Sequence, residues 1–128
     1  MTRSRATARK AGTSFETLIA NYLATHIDDR IERRTKNGNK DRGDIGGLRH
    51  LGQRIVLECK NTIKIALGPW AAEAETERGN DDALAGLIIH KRHGKGQAQD
   101  QWVTLTVGEL VALINGNRHH YETIQETP

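Results

Sequence analysis

The chain has a single cysteine, Cys59, in 128 residues. An intrachain disulfide is therefore excluded, and a reducing, cytoplasmic setting fits. Aromatic residues make up only 4%, yet clear apolar segments recur, so the composition is not that of a wholly disordered chain. No apolar run approaches the roughly 20 residues of a membrane span, so no membrane partner is expected. The basic N-terminus lacks the apolar stretch of a signal peptide. Paired zinc ligands are missing as well: His90, His93, His119 and His120 stand beside one cysteine at no ligand spacing. His90 and His93 are left to touch phosphate or nothing. There is no internal repeat and no second domain. The expected organisation is a basic flexible tail over 1–11, one domain with a modest core over 12–116, and a C-terminal tail over 117–128.

What is present is an uneven distribution of charge. The net charge is +3. Residues 1–60 carry 13 Lys+Arg against 7 Asp+Glu, a balance of +6, and residues 61–128 carry 6 against 9, a balance of −3. Such a basic half either solubilises the surface or meets an anionic polymer, nucleic acid before membrane. Arg3, Arg5, Arg9 and Lys10 lie in the opening tail, where they either solubilise or neutralise phosphates without reading sequence. Arg33, Arg34, Lys36, Lys40 and Arg42 form a second cationic stretch. They serve either to blunt an edge strand or to contact phosphate.

Thr13-Ser14-Phe15-Glu16 has the form of a helix capping box. Phe15, Leu18, Ile19, Tyr22 and Leu23 follow as one apolar stripe. Glu16 either closes that cap or reaches a site beyond it. A short strand is expected around Ile31, then Asp44 to Leu48, a turn at Gly52, and Arg54 to Lys60 returning as a hairpin that is irregular near Gly46 and Gly47. Gly68-Pro69-Trp70 opens a second helix, with proline in its first turn. Its Glu73, Glu75 and Glu77 either lie on a solvated face turned away from DNA, or one of them reaches a metal. Leu84 to His90 and Trp102 to Thr106 read as two further strands. A last helix runs from Val107 to Ile114, capped by Thr106, with Leu110, Val111, Leu113 and Ile114 turned inward. Trp70 and Trp102 belong either to the core or, with the last helix, to a partner contact. The fold class is α/β, a central mixed sheet flanked by helices in the order α-β-β-β-α-β-β-α.

Arg54-Ile55-Val56-Leu57-Glu58-Cys59-Lys60 carries the chemistry. Residues two apart on a strand share a face, so Glu58 and Lys60 point one way, about 6.5–7 Å apart. Cys59 points the other way with Ile55 and Leu57. Charged residues ending an apolar strand need partners. The hairpin would bring Asp44 beside Glu58. Two carboxylates on adjacent strands, with the backbone carbonyl of Cys59 as a third ligand, suit magnesium, which takes oxygen ligands and keeps several waters. Such an ion would polarise a phosphoryl group and acidify a bound water. Lys60 would orient that water or meet the charge on phosphorus, with its pKa lowered by partial burial and the metal.

The series helix with Glu16, then Asp44, then Glu58-Cys59-Lys60 resembles the PD-(D/E)xK nuclease superfamily over about residues 12 to 107. Within it the pattern is similar to small archaeal and phage-type Holliday-junction resolvases, which also place a glutamate after an aromatic residue, here Phe15-Glu16. Gly43 stands where the family often has proline, and the second helix lacks the glutamine or lysine some branches use. The resemblance implies a restriction-endonuclease-like fold and a homodimeric endonuclease that uses Mg2+, with Mn2+ as a substitute, on branched DNA in recombination and repair. It makes Asp44 and Glu58 metal ligands, Lys60 the catalytic lysine and Glu16 a further ligand or a contact to a metal-bound water. A repair or restriction-type enzyme acting on duplex or flap DNA, and a nucleic-acid-binding module without catalysis, remain as alternatives.

Overall fold

The computed structural model describes residues 4–35 and 40–123. Arg3 and Lys36, both expected to contact DNA, lie outside the described residues. Among the described residues the elements are α1 (Arg5–His26), β1 (Glu32–Arg33), β2 (Ile45–Gly46), β3 (Arg49–His50), β4 (Gln53–Lys60), α2 (Leu67–Asn80), β5 (Ala85–His90), β6 (Trp102–Thr104), α3 (Val107–Asn115) and α4 (His120–Thr123). The strands form one mixed sheet in the order β1-β2-β4-β5-β6, with β3 paired to the start of β4. Only β4 and β5 run parallel, and α2 is the crossover between them. Among the described residues, no helix is long and apolar enough to cross a membrane.

Strand β4 is central because its apolar run is covered on both faces. Ile55 and Leu57, with Cys59 beside them, pack with Phe15, Ile19 and Ala20 of α1 and with Ala85 and Ile89 of β5. Each such aliphatic side chain removed from water contributes about 1.5–3 kcal/mol. Trp70 and Ala74 of α2 pack on Ile88. Glu58 and Lys60 therefore emerge on the α2 side. The hairpin into β4 turns through Leu51 and Gly52, both at positive φ, as a two-residue turn of this hand requires. Upstream, Gly47 sits at φ +92, where a Cβ would lie 2.6 Å from the Arg30 carbonyl oxygen. No other residue allows that approach, and the break it makes between β2 and β3 is the expected irregularity.

Four expectations are corrected. Helix α1 begins at Arg5, not after Thr13: Ser4 is its N-cap and its Oγ accepts from the Thr7 N–H at 3.1 Å. The segment expected to be a flexible tail is helical from Arg5, because its alanines, arginines and lysine favour helix and Gly12 does not stop it. Helix α3 keeps the Thr106 cap but buries Glu109 and Ala112, while Leu110 and Ile114 are exposed. The described residues after Gly116, up to 123, are packed, since Arg118 donates to the Leu84 carbonyl at 2.7 Å and α4 comes next. Trp102 is 46% exposed on the edge strand, with the Arg92 guanidinium 4.6 Å from its ring centroid. Trp70 is core.

Candidate metal centre

Backbone pairing delivers Asp44 to the end of β4. Ile45 lies opposite Leu57 in the β2–β4 ladder. One residue before it, Asp44 donates its N–H to the Leu57 carbonyl at 2.9 Å, and its Oδ2 accepts from the Cys59 N–H at 2.7 Å. The carboxylate is thus fixed beside the Glu58–Lys60 segment by the same strand that carries it. Glu58 is 3% exposed. Its carboxyl is pushed strongly upward, first by burial and then by Asp44, Glu77 and Glu73 around it. Lys60 Nζ lies 3.7 Å from Glu58 and 2.7 Å from Glu73. Burial works against its charge, but these carboxylates outweigh burial and raise its pKa, contrary to the expected fall. Burial and four nearby carboxylates also push the Cys59 thiol far up. That argues against a thiolate nucleophile, which needs an electropositive setting.

Glu16 does not cap a helix. It sits in the middle of α1, and its carboxyl is raised to about 7, first by burial and then by Asp44, against the opposing pull of Arg33 at 3.7 Å. The residue lies close enough to Asp44 for the two carboxyls to interact. Arg5, Arg9, Lys10, Arg33, Lys40 and Arg42 are exposed. Asn61, next to Lys60, donates to the Ala11 carbonyl at 3.3 Å, which ties the basic start of α1 to the acidic end of β4. Arg34 is half-buried and held by the protein itself: it donates to the Arg42 carbonyl at 2.6 Å and lies 3.8 Å from Asp81. His90 is buried against Trp70 and bonded to Thr104, so it cannot meet phosphate.

Sequence reasoning missed Asp41, and it put Glu73 and Glu77 on a solvated face ahead of a metal role. Among the described residues, Asp41, Glu58, Glu73 and Glu77 each offer a carboxylate oxygen within 4.8 Å of the others. Glu77, expected on a solvated face, is 1% exposed. Its pKa is raised to about 7 chiefly by burial, with Asp41, Asp44 and Glu73 adding to the rise against a lowering contact with Glu58. Glu75 does lie on a solvated face, paired with Arg78 at 2.7 Å. The available signal was the packing of α2. With Trp70 and Ala74 turned inward, Glu73 and Glu77 occupy the adjoining stripe, each three residues on. A 610 Å³ cavity on the other flank of α2, lined by Ala71, Arg78, Glu109 and Tyr121 among others, is apart from this cluster.

All the side-chain donors gathered here are carboxylate oxygens, a set suited to magnesium, manganese or calcium rather than zinc. No protein-family model, curated protein or solved structure matches the chain.

Proposed function

We propose that this chain is a metal-dependent endodeoxyribonuclease of the PD-(D/E)xK type, with a restriction-endonuclease-like fold, that hydrolyses phosphodiester bonds in branched DNA as a Holliday-junction resolvase. The observation that carries the reading is the meeting of Asp44, Glu58 and Lys60 at the C-terminal end of β4, with the Asp44 carboxylate held by the Cys59 N–H. The mixed sheet with its central parallel pair is compatible with that fold. In this reading Asp44, Glu58 and the Cys59 carbonyl hold Mg2+ or Mn2+, with Glu16 beside Asp44. The ion would polarise the scissile phosphoryl group and supply a water of lowered pKa. Lys60, kept charged by its carboxylate neighbours, orients the attacking water and offsets charge growing on phosphorus.

Phosphate contacts would come from the exposed Arg5, Arg9, Lys10, Arg33, Lys40 and Arg42. Two symmetric cuts need two copies of the chain. The exposed Val107, Leu110 and Ile114 of α3 give a second copy an apolar row to cover.

The deciding experiment is cleavage of a synthetic four-way junction, with duplex, flap and single strand as controls, in Mg2+, Mn2+ or chelator. Paired symmetric nicks on the junction are expected, and Asp44→Asn and Glu58→Gln should abolish them without changing the circular dichroism. Wild-type cleavage by either variant would remove the metal assignment. Equal cleavage of all substrates would leave a general repair nuclease, and binding without cleavage would leave a non-catalytic module.

A further inference from the structure

We propose that Asp41, Glu73 and Glu77 join Glu58 in a hard-cation site of their own, distinct from the Asp44 side of Glu58 and taking a divalent ion such as Mn2+ or Mg2+. It shares Glu58 with the proposed nuclease centre but does not depend on cleavage. Three observations carry it.

The first is Glu77. It is 1% exposed, and no N–H, hydroxyl or ammonium donates to Oε1 or Oε2; the neighbour able to share a proton with it is another carboxyl, Glu58. A buried carboxylate without a donor is expensive to hold, so buried charges are as a rule paired or bound to metal. The second is geometry. Ligand oxygens of the four residues lie within 4.8 Å of one another. Oxygens on opposite sides of one magnesium are about 4.2 Å apart, and about 4.8 Å for calcium, so the cluster is already the size of a single ion's shell. The third is charge balance. Among the described residues, the ion pairs recorded for these carboxylates are those of Lys60 with Glu58 and Glu73. One ammonium cannot neutralise four carboxylates.

The supporting backbone is built for the cluster. Asp41 Oδ1 accepts from the Gly43 N–H at 2.9 Å, and the Asp41 carbonyl accepts from Asn80 at the end of α2 at 2.8 Å. The loop before β2 is thereby pinned to the helix that carries Glu73 and Glu77. The competing account of the same geometry is a proton shared between Glu58 and Glu77. It predicts no cation at all, which makes the two separable.

The test is calorimetric titration of Mn2+ into the wild-type chain and into Asp44→Asn, Glu77→Gln and Glu73→Gln, with circular dichroism as the fold check. Wild type should bind Mn2+, and Asp44→Asn should retain a binding event that Glu77→Gln weakens tenfold or more, as loss of a direct ligand requires. Glu73→Gln, at a half-exposed position that folding tolerates, should weaken the same event. Absence of Mn2+ binding to wild type, or isotherms of both glutamate variants that match wild type, would overturn the site in favour of the shared proton. Junction cleavage alongside unchanged isotherms would overturn this site alone and leave the nuclease reading standing. Glutamate-dependent binding without cleavage would uphold it and remove the other.

Discussion

Two glutamates project from helices into the interior of this protein, and they are treated in opposite ways. Glu109 of α3 is 7% exposed and accepts from the Gly86 N–H at 3.0 Å, from Arg118 at 3.0 Å and from the Tyr121 hydroxyl. Glu77 of α2 is 1% exposed and accepts from no N–H, hydroxyl or ammonium, with only the Glu58 carboxyl in contact. Burial raises both carboxyls. At Glu109 the bonds to Arg118, Tyr121 and Gly86 outweigh burial and hold the pKa below its ordinary 4.5. At Glu77 burial wins and the pKa rises to about 7. Equal burial thus conceals two functions. Glu109 completes the fold: β6 ends at Thr104 opposite Ile88, and Glu109 takes the Gly86 N–H two residues further along β5. Glu77 leaves its oxygens open toward three other carboxylates, an arrangement that costs stability unless something positive enters.

The contrast can be broken most severely at Glu109. Glu109→Ala takes the acceptor from the buried Gly86 amide, the Tyr121 hydroxyl and the half-buried Arg118 guanidinium together, though Arg118 keeps the Leu84 carbonyl, and should cost about 2–3 kcal/mol in urea unfolding. A loss under 1 kcal/mol would mean that water replaces the carboxylate easily. The opposite sign is expected at Glu77. At pH 8 in chelator the wild type must ionise a carboxyl that resists ionisation until about 7, so Glu77→Gln should stabilise the chain by roughly 2–3 kcal/mol. Excess Mn2+ should narrow or reverse that advantage. A destabilised Glu77→Gln in chelator would show that its oxygens already have a donor.

The smallest effect sharpens the comparison through pH. Glu109 has a depressed pKa, so its contribution is complete above 4.5 and is lost as pH falls through its lower folded value. Tyr121→Phe removes one of its donors and should cost about 1 kcal/mol at pH 7. The gap between wild type and this variant should close below pH 4.5 as the carboxyl protonates. A gap that stays constant into acid would assign the loss to tyrosine packing instead.

Much of the site was legible because strand geometry is strict. Alternation alone sends Glu58 and Lys60 to one face and Cys59 to the other, and the hairpin brings Asp44 alongside. The register, Ile45 opposite Leu57, is not written in any one residue, since Gly47 interrupts the strand and offsets the residues after it. Helix starts are ambiguous for a different reason. Ser4 and Thr13 are both competent caps, and the helix-favouring run between them decides for the earlier one. Glu73 and Glu77 were hidden by their own spacing, because carboxylates four apart also mark an ordinary solvent face. In α3, apolar periodicity pointed Leu110 and Ile114 inward, but the partners awaiting Glu109 turned the helix the other way.

The clasp formed by Arg118 and Tyr121 bears on how far the chain can be shortened. A polypeptide cut after Gly116 would keep all six strands, the three longer helices and every carboxylate described above. It would lose both side chains that quiet Glu109, leaving only the Gly86 N–H against it. The shortened molecule would then add Glu109 to its frustrated acids, on the opposite side of α2 from Glu77. Arg118 and Tyr121, which look dispensable on a strand diagram, settle the charge of a core carboxylate.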